Sequence, residues 1–213
     1  YPKFKIALPG GCSIGTRGID LHLEALKLMG VKISIRGGYV IAERKNKQLN
    51  AINHKFPNIS VGATQNIVMA ATLANGKTVL KNCAIEPEVI DLANFLVEMG
   101  ADITGHGTST ITVNGVDELH GISYTALPDR IETGTFLVAA AITGGRVTLK
   151  NAIYSHVEII VEILRRAGAE ITYTDNTISI DMKEQRPKPV EIETGPYPHL
   201  GGFLLNKCKF YGK

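Results

Sequence analysis

The chain of 213 residues has no tryptophan and no long hydrophobic run. No apolar stretch approaches the roughly 20 residues that span a bilayer, so we expect no membrane association. No run of basic residues is interleaved with aromatic residues, and the formal net charge is only +3. Because a nucleic-acid-binding protein is marked by a strong basic patch, we also expect no nucleic-acid partner.

Cysteine is scarce as well. The three residues Cys12, Cys83 and Cys208 are odd in number and form no CxxC pair, which disfavours a metal site and, still more, a disulfide framework. We therefore expect reduced thiols in a cytoplasmic protein. The first residues, YPKFKIALPGG, carry no signal-peptide pattern and resemble the interior of a protein.

What the chain does contain is an internal repeat in three copies. The strands TVLKN (78–82) and VTLKN (147–151) each follow a small-residue helix end, and each precedes a helix and a strand pair. A first copy enters at KIALPGG (5–11). The helix of each copy closes on a glycine: Gly30, Gly100 and Gly168. These glycines are 70 and 68 residues apart, and such a period predicts a fold built from one unit.

Each copy predicts a strand, a helix and two more strands, with a further helix leading into the next copy. The helical period of apolar residues places helices at 23–30 and 89–100. Alternating residues predict hairpins at 33–43, 103–113 and 170–181. Each closing glycine suits a left-handed helix cap. Since one unit cannot bury its own helices and sheet, we expect an α/β fold with helices inside and sheets outside around a pseudo-axis.

The three copies differ at the junction between strand and helix. The junctions are LPGGCSIGTRGID (8–20), LKNCAIEPEVID (80–91) and LKNAIYSHVEII (149–160). Only the first is rich in glycine and holds both Cys12 and Arg17. If the two side chains approach each other, the positive charge of Arg17 would lower the pKa of the Cys12 thiol. A reactive cysteine is one interpretation. The other is a small hydrophobic core residue, which is the common role of a free cysteine.

Other candidates have structural alternatives of the same kind. Ser60 precedes a predicted helix at 63–74, whose free N–H groups would suit a phosphate, although every helix has such an end. The segment Glu86-Pro87-Glu88 occupies the junction that Cys12 occupies in the first copy and could face the same cleft. We interpret Cys83 as structural. His22, although near the first junction, is interpreted as a core or surface residue.

The turn Leu127-Pro128-Asp129-Arg130 separates the second copy from the third. Proline beside charged residues indicates a turn or a crossing between domains. We interpret Asp129 and Arg130 as a structural pair rather than as catalytic groups.

At these residues the sequence resembles the UDP-N-acetylglucosamine 1-carboxyvinyltransferase family, the UDP-N-acetylglucosamine enolpyruvyl transferases. The resemblance covers nearly the whole chain up to Pro198 and rests on long motifs in the same order. They are LPGGCSIGTRGIDLHLEALKLMG (8–30), SVGATQNIVMAATLANG (60–76), EPEVIDLANFLVEMGA (86–101), LPDRIETGTFLVAAAITGG (127–145) and RPKPVEIETGPYP (186–198).

The resemblance implies an inside-out α/β barrel, with two similar domains of three βαββ repeats each around a cleft. Residues 1–127 would form most of the mobile-loop domain that binds the sugar nucleotide, with its first repeat cut. Residues 128–198 would form one repeat of an incomplete second domain. The tail HLGGFLLNKCKFYGK (199–213) matches nothing in the family, and we expect it to be aberrant.

The family implies transfer of enolpyruvate from phosphoenolpyruvate to the 3′-hydroxyl of UDP-N-acetylglucosamine, with release of phosphate and without a cofactor or metal. This is the first committed step of peptidoglycan synthesis. Cys12 matches the proton donor that fosfomycin alkylates, and Arg17 matches an arginine that binds phosphate. The segment contacting the uridine end is matched by Gly18, Ile19, Asp20 and Leu21. The segment at the diphosphate is matched by Asn58, Ile59, Ser60 and Val61.

The chain departs from the family at several points. Relatives commonly have lysine where this chain has Asn58, which weakens the expected diphosphate contact. The family's N-terminal lysine–asparagine pair and its essential aspartate have no counterpart, and the tail 199–213 contains no acidic residue. Two hypotheses follow: a transferase of which this is a truncated portion, or an inactive remnant that at most binds the sugar nucleotide. Exposed repeat edges also predict self-association.

Overall fold

The computed structural model describes residues 3–10, 18–44 and 46–191, and it divides the chain into two compact units, 1–125 and 126–213. Unit 1 contains ten elements. They are β1 (Lys3–Ala7), α1 (Asp20–Leu28), β2 (Val31–Arg36), β3 (Tyr39–Arg44), β4 (Asn53–Lys55), α2 (Val61–Ala71), β5 (Lys77–Lys81), α3 (Pro87–Glu98), β6 (Asp102–Thr104) and β7 (Thr110–Asn114). Unit 2 contains α4 (Arg130–Thr143), β8 (Arg146–Lys150), a short 3₁₀ turn (Tyr154–His156), α5 (Glu158–Arg166), β9 (Glu170–Tyr173) and β10 (Thr177–Asp181).

The predicted repeat of strand, helix, strand and strand is confirmed three times over. The sheets have the orders β1-β3-β2, β5-β7-β6 and β8-β10-β9, so the third strand of each copy lies between the first and the second. All of these pairs are antiparallel, and the three predicted hairpins are formed. In the second sheet β4 adds at the edge, parallel to β5. That short strand, centred on His54, was not predicted.

Backbone geometry follows the same repeat. Gly30, Gly100 and Gly168 have φ angles of 95°, 103° and 105°, which confirms the predicted left-handed caps. Asn82 and Asn151, which follow β5 and β8 in equivalent positions, have φ angles of 58° and 55°. Asparagine tolerates this left-handed region better than other residues with a side chain. The shared LKN sequence therefore encodes a shared turn.

The predicted helix bounds are shifted by two or three residues. The helices predicted at 23–30, 63–74 and 89–100 are found at Asp20–Leu28, Val61–Ala71 and Pro87–Glu98. Each helix starts earlier because its first turn contains residues that the apolar period does not register, such as Asp20 in α1, Gly62 in α2 and Pro87 in α3. Each also ends earlier, and in α1 and α3 this is because the glycine and the residue before it form the cap rather than the last turn.

Unit 1 is organised around α2, which packs against both α1 and α3. Its buried residues include Ala63, Ile67, Val68 and Ala71. Small residues allow the neighbouring helices to approach closely, and this explains the small-residue helix ends that mark the repeat. The sheet closes this core with side chains such as Leu80, which is fully buried.

Unit 2 has a core of its own, in which α4 packs on β8, β10 and α5. Leu137 of α4, Leu164 of α5 and Ile178 of β10 are fully buried there. Among the helices of the described part of the chain, none is long and apolar enough to cross a bilayer.

Candidate functional site

Two of the candidate site residues, Cys12 and Arg17, lie outside the described residues. The eight others are described, and they fall into two segments of unit 1. The first segment is Gly18 to Leu21, and the second is Asn58 to Val61.

The first segment forms the start of α1. Asp20 is the first helical residue, where a carboxylate interacts favourably with the positive end of the helix dipole. Its side chain folds back over Gly18, since a Cβ added to that glycine would lie 2.7 Å from the Asp20 Oδ1 atom. Ile19 and Leu21 are half-buried, and Leu21 packs on the core of unit 1. The segment is therefore anchored by apolar side chains while its polar atoms remain exposed.

The second segment forms the start of α2. The Ser60 hydroxyl oxygen accepts a hydrogen bond of 3.2 Å from the backbone N–H of Ala63, so the predicted N-cap is confirmed. Asn58 and Ile59 are exposed, with 62% of Ile59 accessible, whereas Val61 packs on the core. The first N–H groups of a helix have no partner within it, and this makes a helix start suitable for an anion.

The structure brings the two segments together through a histidine. Asn66 of α2 donates a hydrogen bond from Nδ2 to Nδ1 of His22 in α1, at 2.6 Å. The same imidazole lies against Gly62, where an added Cβ would be 3.3 Å from the His22 Cε1 atom. The first turns of α1 and α2 are thus in contact. The sequence interpretation of His22 as an ordinary core or surface residue missed this contact. The position of His22, directly after the candidate segment that ends at Leu21, was a signal that it lies near the site.

Burial lowers the pKa of His22, and the nearby carboxylate of Asp20 opposes that shift. Burial therefore favours the neutral form of the imidazole. Because Asn66 donates to Nδ1, the ring proton resides on Nε2.

An apolar cavity of about 310 Å³ opens between the first sheet and α1. Phe4 and Ile6 of β1, Val40 of β3 and Leu23 of α1 line it, together with the polar residues His22 and Asn66. Phe4 and Ile6 keep about half of their surface exposed. This face of unit 1 is apolar and open in the described residues.

The segment Glu86-Pro87-Glu88 packs against α2. The backbone N–H of Ala84 donates to the hydroxyl of Thr64 at 3.1 Å, and the Gln65 side chain donates to the carbonyl of Glu88 at 3.2 Å. Glu86 is only 3% exposed, and its Oε2 atom has no hydrogen-bond partner. The idea that this segment faces the same cleft as Cys12 stays a prediction.

Cys83 is a buried free thiol, and burial raises its pKa to about 11. A thiol with so high a pKa forms almost no thiolate at neutral pH, and it is a poor nucleophile. This agrees with the interpretation of Cys83 as a structural residue.

The helix start of unit 2 differs in charge from that of α2. Asp129 is the N-cap of α4, and its Oδ1 atom accepts hydrogen bonds from the N–H groups of Ile131 and Glu132 at 2.7 and 3.2 Å. The sequence led us to interpret Asp129 as the partner of Arg130 and did not predict this cap. Since the carboxylate already occupies the helix start, α4 is unsuited to an anion.

No group of three or more histidine, cysteine, aspartate or glutamate side chains close enough to hold a metal ion occurs within residues 3–10, 18–44 and 46–191.

A family model described as EPSP synthase (3-phosphoshikimate 1-carboxyvinyltransferase) matches residues 2–206. The UDP-N-acetylglucosamine 1-carboxyvinyltransferase of Ruthia magnifica subsp. Calyptogena magnifica is 52% identical over 200 residues, which cover 94% of this chain and 47% of the relative. The enzyme of the same name from Vesicomyosocius okutanii subsp. Calyptogena okutanii is 51% identical with the same coverage. The chain thus spans about half the length of these relatives.

Solved structures show the same fold. The enolpyruvyl transferase NikO from Streptomyces tendae matches with a TM-score of 0.69 and 17% identity, over 84% of this chain and 44% of that one. EPSP synthase from Acinetobacter baumannii matches with a TM-score of 0.61 and 26% identity, over 92% of this chain and 46% of that one. These likenesses confirm the expected fold class, the enolpyruvyl transferase fold of repeated βαββ units. The chain belongs to the EPSP synthase (3-phosphoshikimate 1-carboxyvinyltransferase) family of enolpyruvyl transferases, and it is similar within that family to UDP-N-acetylglucosamine 1-carboxyvinyltransferases.

Proposed function

We propose that this chain is part of a transferase that moves enolpyruvate from phosphoenolpyruvate to the 3′-hydroxyl of UDP-N-acetylglucosamine and releases phosphate. The reaction opens peptidoglycan synthesis and takes place in the cytoplasm. The observation that carries the proposal is the contact between the starts of α1 and α2, which joins the two segments expected to bind the sugar nucleotide. The 52% identity to relatives named for that substrate supports the choice of substrate.

The charges and donors at the two helix starts fit a nucleotide sugar. At α2 the cap is a neutral serine, so the positive end of the helix remains available to a diphosphate. At α1 the exposed Asp20 offers an acceptor for the N–H of a uracil ring. The two starts would thus hold opposite ends of the UDP moiety, with the diphosphate at α2 and the base at α1.

The chemistry requires a proton on the methylene carbon of phosphoenolpyruvate. In the proposed reaction the 3′-oxygen bonds to C2 while the Cys12 thiol protonates C3, and the hydroxyl proton passes to water. The resulting tetrahedral intermediate then loses phosphate from C2 and returns a proton from C3 to the Cys12 thiolate, which restores the double bond and the thiol. Carbon is slow to accept a proton, so a positioned acid matters, and Arg17 would stabilise the phosphate that departs.

A second candidate function is binding of the sugar nucleotide without catalysis. The contact between the starts of α1 and α2 supports it, because both segments expected to bind the sugar nucleotide lie at these starts and binding alone needs no proton donor for phosphoenolpyruvate. Under this alternative the segments at α1 and α2 still bind UDP-N-acetylglucosamine, but no phosphate is released.

Phosphate release from phosphoenolpyruvate in the presence of UDP-N-acetylglucosamine distinguishes the two functions. The measurement uses the purified 213-residue chain, with Cys12→Ala as the matched variant and fosfomycin as a second block of the same thiol. Turnover that both treatments abolish supports the transferase. Calorimetric binding of the sugar nucleotide without turnover supports the binding function, and the absence of both refutes the assignment of the site to this chain.

Self-association is a further part of the proposal. The open apolar face with Phe4 and Ile6 supports it, since exposed apolar patches of this kind mark contact surfaces. Light scattering coupled to size-exclusion chromatography tests it, and a monomer at all concentrations would refute it.

A further inference from the structure

The contact between His22, Gly62 and Asn66 suggests a role beyond those assigned to the two segments. The imidazole of His22 leaves the first turn of α1 and reaches α2 at two points one helical turn apart. One point is the hydrogen bond from the Asn66 amide, and the other is the packing of the ring edge on Gly62. A side chain held at two points fixes both the distance and the rotation between two helices.

Gly62 explains why the ring can come so close. A Cβ at this position would lie 3.3 Å from Cε1 and 3.6 Å from Nε2 of His22, which is tighter than an ordinary contact at the first of these atoms. The backbone of Gly62 is not in the left-handed region, so the local conformation does not itself require glycine. The space that the ring occupies is therefore what excludes a larger residue.

The protonation state of the ring agrees with this geometry. Burial disfavours the imidazolium form of His22, and the Asn66 donor requires an unprotonated Nδ1 atom. The carboxylate of Asp20, on the same helix, acts on the ring in the opposite direction. A ring that is bonded to Asn66 and packed on Gly62 is held in one orientation between the two helices.

We propose that His22 is a positioning residue, a spacer that sets the start of α1 against the start of α2 so that the segments 18–21 and 58–61 bind one sugar nucleotide together. This inference rests on the proposed function for its ligand, although the spacer itself is a property of unit 1 alone.

Two substitutions test the spacer as a pair. Gly62→Ala adds the methyl group that crowds the ring, and His22→Asn removes the ring edge while keeping an acceptor close to the position of Nδ1. When His22 is present, we expect Gly62→Ala to weaken UDP-N-acetylglucosamine binding about fivefold. In the His22→Asn background, we expect the same substitution to weaken binding by less than about twofold. The melting temperature should not fall with Gly62→Ala, since alanine is the better helix residue.

A merely structural role would give a different pattern. The two substitutions would then act additively on affinity, and affinity would change in parallel with the melting temperature. Either result would overturn the proposal.

A readout without ligand keeps this inference separate from the proposed function. If the wild-type chain binds no UDP-N-acetylglucosamine, the proposed function fails, and hydrogen exchange of the free protein then decides the matter. A spacer predicts that Gly62→Ala speeds exchange at the amides of both 20–23 and 61–64 only when His22 is present. Exchange that changes at α2 alone, or equally in both backgrounds, would overturn the proposal.

Discussion

Replacing Ser60 by aspartate should separate the stability of α2 from its capacity to bind an anion. Ser60 caps the helix by accepting a hydrogen bond of 3.2 Å from the N–H of Ala63. Aspartate is an equally good cap, so we expect the free energy of unfolding to change by less than about 0.5 kcal/mol. The added charge should interact favourably with the helix dipole and offset any loss of fit.

Binding should respond in the opposite direction. A negative charge about 5 Å from another opposes it by roughly 0.8 kcal/mol at the dielectric constant of water and by roughly 3 kcal/mol at an effective value near 20. These values correspond to a loss of affinity of about fourfold to a few hundredfold. Ser60→Asp should therefore bind UDP-N-acetylglucosamine more weakly by a factor in this range, and the loss should shrink as salt is added.

Ser60→Asn is the matched control, because asparagine also caps well and has nearly the same shape without the charge. Isothermal titration calorimetry measures affinity, and urea denaturation measures stability. If Ser60→Asp binds the sugar nucleotide as tightly as Ser60→Asn, then no diphosphate lies at the start of α2. Asp129→Ser at the start of α4 provides a second control, for which we expect unchanged affinity.

Three further predictions concern the scaffold. Because burial raises the pKa of Cys83 to about 11, maleimide at pH 7 should label it only after unfolding, and rapid labelling of the native protein would contradict this. Alanine at Gly100 should destabilise the protein more than alanine at Gly168 in urea denaturation. Both glycines have φ angles above 100°, but an added Cβ at Gly100 would also come within 3.1 Å of the His120 ring. Equal losses in the free energy of unfolding for the two variants would show that the His120 ring moves away at no cost. A hydrogen bond to a carboxylate raises the pKa of Tyr124 to about 12, so its contribution to stability should be complete below pH 10 and lost as pH rises through 12. Absorbance at 295 nm, compared with a Tyr124→Phe variant, should place its titration above that of an exposed tyrosine, and a titration near pH 10 would refute the assignment.

Much of the scaffold could be predicted because its signals are local. The left-handed conformation of Gly30, Gly100 and Gly168 follows from where each glycine stands relative to an apolar helical period, and all three caps are found. The hairpin between β2 and β3 was likewise evident from two glycines between alternating residues, and both adopt positive φ angles.

The site was predicted less completely because its contacts are not local. His22 and Asn66 are 44 residues apart, and nothing in the periodicity of either helix indicates that they meet. The edge strand β4 was missed for the same reason, because its partner β5 follows it in the chain only after helix α2. The cap at Asp129 was missed for another reason, since an adjacent arginine made an ion pair the simpler interpretation.

The central claim is that the starts of α1 and α2 form one binding site for a nucleotide sugar. Hydrogen exchange of the 213-residue chain with and without UDP-N-acetylglucosamine tests it most directly. The account predicts slower exchange on binding at residues 18–22 and 58–63 together, with no change at the start of α4. Protection that is confined to unit 2, or that appears at only one of the two segments, would contradict it.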